Sequence, residues 1–175
     1  GEIVFTVTHQ YLDDDPSSTA EDTYTVNVTV ADDDIGMGAD SETVLVRNVA
    51  PTVALQPITA IDENGVASLT GTITDTGTLD TFTVDINWGD PLSPINTEQF
   101  SFGASDINQP GVIWNAMTRT FTITHQYLDD NPTATAQDTY TVGVTVTDDD
   151  TGVGTDSMTV LVSNVAPILT LQPVS

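Results

Sequence analysis

The sequence predicts an all-β protein built from two-sheet sandwiches, and three observations support this prediction. Apolar and polar residues alternate with a period of two along short segments of the chain. The chain also repeats itself at an offset of 116 residues, because the segment that begins at Phe5 matches the one that begins at Phe121. No segment combines helical periodicity with capping residues. Antiparallel sheets in Greek-key order are the expected topology for such a pattern.

The alternation is clearest in the segments FTVDINW and YTVGVTV. FTVDINW places Phe82, Val84, Ile86 and Trp88 on one face of a strand, and YTVGVTV, which begins at Tyr140, repeats the pattern with valines. Threonines occupy many of the intervening positions, and they favour strands with a wet outer face. Strands are expected near residues 52–56, 66–74, 81–88, 97–103, 112–116, 118–125, 139–147 and 157–163.

The repeated segment predicts the domain organisation. FTVTHQYLDDDP matches FTITHQYLDDNP, and the match continues through VRNVAP and VSNVAP into the next residues. We predict the C-terminal half of a repeat over 1–50, a complete repeat over 51–166 and the start of a third over 167–175. Half a sandwich leaves strand edges and apolar faces uncovered. Neighbouring copies of the repeat or the chain, supplying strands, are therefore expected partners.

Charge and composition exclude several classes of function. The 175 residues include 26 acidic side chains, two arginines and no lysine, which gives a net charge of -24. Nucleic acid and anionic membranes are bound through lysine and arginine, so neither is an expected partner. No cysteine is available for a disulfide or a thiolate metal site. No apolar run reaches the roughly 20 residues of a membrane helix, so membrane insertion is not expected.

The acidic residues form clusters in the predicted loops, and 21 of the 26 are aspartate. Successive turns of a sandwich alternate between its two ends, so Asp75 and Asp80 should lie beside the turn that begins at Asp148. Glu63 and Asp130 should lie at the opposite end, and successive repeats should meet at the NVAP linker. The candidate cation ligands are Asp32, Asp33, Asp34, Asp40, Asp62, Glu63, Asp75, Asp80, Asp129, Asp130, Asp148, Asp149, Asp150, Asp156, and the linker residues Asn48 and Asn164.

Clustered carboxylates repel each other unless a positive charge lies among them, and this chain has almost no cationic side chains. A hard cation bound by six to eight oxygen atoms would neutralise them, which makes calcium the expected cofactor. The spacing does not match the EF-hand loop, so the prediction rests on clustering alone. Two alternatives remain open, namely solvated turns that bind no ion and a salt-adapted acidic surface.

Candidate catalytic groups are few. His9 and His125 occupy the same position in the two copies of the repeated segment, so each repeat has one histidine, too few for a histidine-based zinc site. No nucleophile elbow accompanies them. Trp88 is predicted to pack in the core, whereas Trp114 remains open between core packing and a sugar-stacking surface. The sequence therefore predicts a protein without catalytic activity.

Three motifs in order, INWGD, THQY and DTYTVGVTVTDDDTG, resemble segments of polycystic-kidney-disease (PKD) domains, in particular the tandem PKD-like repeats of bacteria. The resemblance covers the complete repeat, with NVAP at the junction between copies. It implies immunoglobulin-like β-sandwiches in tandem that act as spacer, adhesive or accessory modules and are not themselves catalytic.

Together these features predict a structural or adhesive module of a long extracellular or cell-surface protein that forms filaments or contacts surfaces. Calcium is expected to stiffen the junctions between its repeats, and a surface polysaccharide is a further expected partner. The alternative is a carbohydrate- or protein-binding accessory module of a secreted hydrolase.

Overall fold

The computed structural model describes residues 3–131 and 133–172, and all regular elements in these ranges are β-strands. Residues 1–2 and 173–175, the outer ends of the predicted segments 1–50 and 167–175, lie outside the description. No helix in the described ranges is long and apolar enough to cross a membrane. The strands are β1 (Glu21–Ala31), β2 (Met37–Arg47), β3 (Thr52–Leu55), β4 (Ile61–Asp62), β5 (Val66–Thr74), β6 (Phe82–Asn87), β7 (Thr97–Phe102), β8 (Ile107–Gln109), β9 (Val112–Asn115), β10 (Thr120–Gln126), β11 (Gln137–Asp148) and β12 (Val153–Ser163).

Two five-stranded sheets enclose one hydrophobic core. Their strand orders are β3-β5-β10-β9-β8 and β4-β12-β11-β6-β7. Leu69, Phe121 and Ile123 of the first sheet and Val84 and Val144 of the second are almost completely buried in one cluster. This arrangement is that of a β-sandwich, and the predicted all-β class is confirmed.

The eight predicted strands all have counterparts in the structure, with small shifts at their ends. The strand expected from residue 118 begins at Thr120, because residues 116–119 form a turn in which Arg119 has a φ of 49°. Sequence reasoning missed β4 and β8, which have two and three residues. A period-two pattern needs more residues than these strands contain.

The first copy of the repeated segment, residues 5–50, forms the same hairpin as the second copy, residues 121–166. Glu21 pairs with Arg47 in β1 and β2, and Gln137 pairs with Ser163 in β11 and β12, in the same register. In the second copy β6 and β4 flank this hairpin, whereas β1 and β2 pair only with each other in the described chain. The apolar face of the first hairpin is therefore exposed here.

We expect the two copies to respond differently to the same truncation. Phe121 is fully buried, so Phe121→Ala should lower the free energy of unfolding by about 3–5 kcal/mol. Its counterpart Phe5 is 60% exposed, so Phe5→Ala should have little effect. Urea unfolding of the two variants of the 175-residue chain measures both values. Equal losses would show that the first copy has a packed core of its own in solution.

Candidate metal centre

Three loops bring six aspartates together at the end of the sandwich that faces the first copy. The loop before β1 belongs to the first copy, and the loops that follow β5 and β11 belong to the sandwich. Their carboxylates form two triads, and within each triad the potential ligand atoms lie within 4.8 Å of one another. We call the six residues the junction cluster: Asp13, Asp14 and Asp150 in one triad, and Asp75, Asp80 and Asp148 in the other.

The turn between β11 and β12 is shaped by its own first aspartate. Asp148 Oδ1 accepts hydrogen bonds from the backbone N–H of Asp150 at 3.1 Å and of Gly152 at 2.6 Å. Asp32 Oδ1 accepts the equivalent bonds in the first copy, at 3.1 Å and 2.6 Å, so the local sequence determines this turn. Within the described chain, the turn of the second copy lies against another acidic loop, whereas the turn of the first copy is exposed.

Direct contacts dock the first copy against the sandwich. The backbone N–H of Thr78 donates to the carbonyl of Leu12 at 3.0 Å. The side-chain amide of Asn48, in the linker before β3, donates to Asp148 Oδ2 at 2.8 Å. A Cβ placed on Gly152 would lie 2.7 Å from the Cα of Ala50, so the linker runs directly over the turn. The junction cluster therefore spans two copies that touch each other.

Most of the junction cluster is shielded from water, and several of its oxygen atoms have no partner. Asp14 is 2% exposed, Asp80 is 7% exposed and Asp150 is 3% exposed. From the described residues, the Oδ2 atoms of Asp14 and Asp75 and both carboxylate oxygens of Asp80 accept no hydrogen bond. A buried carboxylate without a partner is strongly unfavourable, so these oxygen atoms call for a proton or a cation.

No arginine donates to a carboxylate of the junction cluster within the described residues. Arg119 lies beside the cluster, but its guanidinium donates to the carbonyls of Asp75 at 3.2 Å and Gly77 at 2.6 Å rather than to a carboxylate. The other arginine pairs with Glu21 on the surface. The charge of Arg119 therefore acts on Asp75, but most of the negative charge of the cluster has no cationic partner within the described chain.

The pKa values in the junction cluster reflect this environment. Burial, followed by the charges of Asp75 and Asp13, raises the pKa of Asp80 to about 8. Burial, followed by the charges of Asp14 and Asp13, raises the pKa of Asp150 to about 7. Burial also raises the pKa of Asp14 and of Asp75. Near neutral pH, protons and cations therefore compete for the same oxygen atoms.

A third triad lies at the opposite end of the sandwich and consists of Glu63, Asp129 and Asp130. Asp130 is 6% exposed, and its Oδ2 atom has no partner. Glu63 Oε1 accepts the backbone N–H of Val165, a residue of the second NVAP linker, at 2.8 Å. Asp129 and Asp130 match Asp13 and Asp14 of the first copy, so the far end presents the same acidic loop.

The structure does not bring all predicted ligands into these triads. Asp149 accepts the backbone N–H of Thr81 at 2.8 Å, and Asp156 accepts that of Leu55 at 2.9 Å. Asn48 donates its side-chain amide N–H to Asp148 and belongs to none of the three triads. The remaining predicted ligands outside the triads are exposed: Asp32, Asp33, Asp34, Asp40, Asp62 and Asn164.

Sequence reasoning also missed two members of the junction cluster, Asp13 and Asp14. The signal was present, because the 116-residue offset relates them to Asp129 and Asp130, which were predicted. Their position in the cluster could not be predicted, because it depends on how the two copies contact each other.

Both tryptophans lie in the core. Trp88 is stacked on His125 with ring centroids 4.7 Å apart, and its indole N–H donates to Glu98 at 2.8 Å. Trp114 is 2% exposed and donates to the carbonyl of Gly103 at 2.9 Å. The predicted core position of Trp88 is confirmed, and for Trp114 burial excludes an exposed stacking surface.

Comparison with known proteins gives no assignment, since no protein-family model and no curated protein matches the chain.

We expect the junction cluster to make stability depend on pH when calcium is absent. The pKa of Asp80 is about 8 in the fold against 3.8 for an ordinary aspartate, so the folded chain holds a proton that the unfolded chain releases. That contribution is fully present below the unfolded pKa and disappears as pH rises through the folded value. The melting temperature in chelator should therefore fall as the pH rises from about 4 to about 8. Asp80→Asn should weaken this trend and the exposed Asp15→Asn should not; a flat profile for the wild type would contradict the raised pKa.

We also expect Gly152→Ala to open the junction. The new methyl group would collide with the linker at Ala50 and with the Asn48 amide, 2.9 Å away, besides the carboxylate of Asp148. The matched control is Gly36→Ala in the first copy, where the three atoms nearest to the new methyl group all belong to the Asp32 side chain. Small-angle scattering should show a changed maximum dimension for Gly152→Ala alone. The same result for both variants would show that the linker contact does not hold the two copies together.

Proposed function

We propose that this chain is a structural or adhesive repeat module of an extracellular or cell-surface protein, and that calcium holds its successive repeats in a fixed orientation. The observation that supports this most directly is the junction cluster. Its six aspartates come from two touching copies, several of their oxygen atoms are buried without partners, and no arginine in the described chain forms an ion pair with them.

The donor atoms favour calcium over other ions. They are hard carboxylate oxygens, with no histidine or cysteine in any of the three triads. Calcium accepts six to eight oxygen atoms in irregular geometry, whereas magnesium requires a tighter octahedron. Loops from two separate copies suit the more permissive ion.

The ion would act mechanically. Asp13 and Asp14 belong to one copy and Asp150 to the next, so a cation bound between them joins the two copies directly. The Thr78–Leu12 hydrogen bond and the Asn48–Asp148 hydrogen bond flank that connection. Neutralising the carboxylates would remove the repulsion that otherwise pushes the copies apart.

We place the sandwich in the immunoglobulin-like, PKD-like class as part of this proposal. The INWGD, THQY and DTYTV motifs support it, and so does the hydroxyl of Tyr140, which donates to the carbonyl of Asp129 at 3.1 Å in the manner of a corner tyrosine. Neighbouring copies would cover the exposed hairpin of β1 and β2. A surface polysaccharide is a further proposed partner.

An extracellular location fits the chemistry of such sites. Extracellular calcium modules bind the ion with dissociation constants of about 10⁻⁴ to 10⁻³ M, and sites of that strength are filled only where calcium is abundant. A module of this kind needs no turnover, and we propose that it is not an enzyme. His125, the histidine of the complete repeat, is buried beneath Trp88.

The alternative is a carbohydrate-binding accessory module of a secreted hydrolase. A groove of about 790 Å³ on the outer face of the second sheet supports this alternative. Gly143 lies in its floor, with Asp85, Asn87 and Gln99 among the polar side chains that line it. Both tryptophans are buried, however, so neither can stack on a sugar ring in this groove. We therefore favour the structural role.

The proposed function predicts that calcium stabilises the chain and restricts the orientation of the two copies relative to each other. At about 10 mM calcium, one site with the dissociation constant given above adds roughly 1.4 to 2.7 kcal/mol of stability by mass action. The melting temperature of the 175-residue chain should therefore rise by several degrees over its value in chelator. Small-angle scattering should show a narrower range of inter-copy distances in calcium.

The paired variants Asp148→Asn/Asp150→Asn should abolish both effects. Asp32→Asn/Asp34→Asn is the matched control, because it changes the same turn in the first copy, where these residues are exposed. Identical melting and scattering of the wild type in calcium and in chelator would refute the calcium-dependent junction. Binding of oligosaccharides that is lost on changing Asp85 and Gln99 would favour the alternative.

A further inference from the structure

We propose that the junction holds two calcium ions in separate sites, one inside the sandwich and one between the copies. This inference rests on the proposed function and adds the number of ions and the task of each. We call the two triads the inner site, formed by Asp75, Asp80 and Asp148, and the bridging site, formed by Asp13, Asp14 and Asp150.

The distances between carboxylates argue for two ions rather than one. Calcium binds its oxygen ligands at 2.3–2.6 Å, so any two ligand atoms of one ion lie within about 5 Å of each other. Each triad satisfies this limit by itself, with its ligand atoms within 4.8 Å. The six carboxylates form two such groups and not a single one. One ion at either position would leave the other triad unneutralised.

The inner site is formed entirely by the sandwich. Asp80 is 7% exposed, and both of its carboxylate oxygens lack partners, as does Oδ2 of Asp75. The Asp75 carboxylate is held in place because its Oδ1 accepts the backbone N–H of Gly77 at 3.0 Å. A side chain at Gly77 would occupy the space of the Asp80 carboxylate, so the loop leaves room for that group.

The bridging site exists only when the two copies touch. Asp14 is 2% exposed and its Oδ2 atom has no partner, although the residue lies in a loop of the otherwise exposed first copy. Asp150, which completes the triad, is 3% exposed and comes from the sandwich. Contact between the copies therefore buries carboxylates of the first copy against a carboxylate of the sandwich. This burial is unfavourable unless a bound cation neutralises the carboxylates.

The two sites adjoin at Asp13. Its carboxylate belongs to the bridging site, and its negative charge also acts on Asp80 of the inner site. With both ions bound, Asp13 lies between two positive charges, and the copies are joined through it as well as through Asp14.

The two ions have different tasks. The inner ion neutralises carboxylates that all belong to the sandwich, so it should stabilise the fold of the sandwich. The bridging ion joins two copies, so it should restrict the angle between them. At the far end of the sandwich, Asp129 and Asp130 match Asp13 and Asp14 of the bridging site, and Glu63 joins them in a third triad. At a junction that follows a complete repeat, this glutamate would supply a further ligand.

Equilibrium dialysis of the 175-residue chain against calcium alone tests the number of ions. We expect Asp80→Asn and Asp14→Asn each to lose one bound ion relative to the wild type, and the double variant to lose two. Asp15→Asn is the control, because Asp15 lies in the same loop as Asp14 but is exposed and outside the triads. Counting losses relative to the wild type removes any contribution from the far triad. A double variant that loses no more than either single variant would overturn the two-site proposal while leaving a calcium junction intact.

Melting and scattering test the division of tasks. Asp80→Asn should reduce the calcium-dependent rise in melting temperature, whereas Asp14→Asn should retain it and lose the calcium-dependent change in maximum dimension. Both variants keep the shape of the side chain, and circular dichroism in chelator checks that the strands are formed. Equal effects of the two variants on both quantities would contradict separate tasks. A wild type that binds no calcium would instead refute the proposed function itself.

Discussion

The constraint on which the junction depends is the repulsion among carboxylates that the fold excludes from water. Asp14, Asp80 and Asp150 are nearly inaccessible to solvent, and oxygen atoms of Asp14 and Asp80 lack hydrogen-bond partners. Such groups cannot all remain ionised without a counter-charge. This arrangement therefore calls for bound protons or bound cations, and we expect the contact between copies to depend on pH and on dissolved cations.

The rest of the structure holds these carboxylates in place. The core shared by the two sheets fixes the ends of β5, β6, β11 and β12. Asp148 is the last residue of β11, and the loops between these strands carry three more of the six aspartates. The turn at Asp148 is held by hydrogen bonds from its own backbone N–H groups to the Asp148 side chain, so its shape does not depend on a neighbouring copy. Glycine is required where the linker crosses the second sheet, since a Cβ on Gly154 would meet the backbone of Pro51. Preorganised loops lower the entropy that ion binding must overcome.

The sequence was most informative where a residue's environment depends on its own strand. Alternation predicted β6 and β11, because their side chains face one core, and turn counting predicted that Asp75 and Asp80 lie near Asp148. The clustering of aspartates in the sequence could not show which carboxylates accept hydrogen bonds from the backbone, as those of Asp149 and Asp156 do. Nor could it identify a contact between copies, which depends on the surfaces that meet. Trp114 was ambiguous because its burial depends on Phe102, a residue of another sheet, against which it stacks at 4.7 Å.

The acidic loop before β1 is built by its own hairpin rather than by a closed sandwich. The hydroxyl of Tyr24 reaches the carbonyl of Asp13 at 3.5 Å, and Ser17 donates its backbone N–H to Asp22 at 3.1 Å. In the second copy Tyr140 and Thr133 make the equivalent bonds to Asp129 and Asp138, at 3.1 Å and 3.2 Å. The loop thus takes the same form in the sandwich and in a hairpin whose apolar face is exposed. Because the ligands are positioned by local contacts, a junction of this kind requires only the hairpin of one copy and the end of the next.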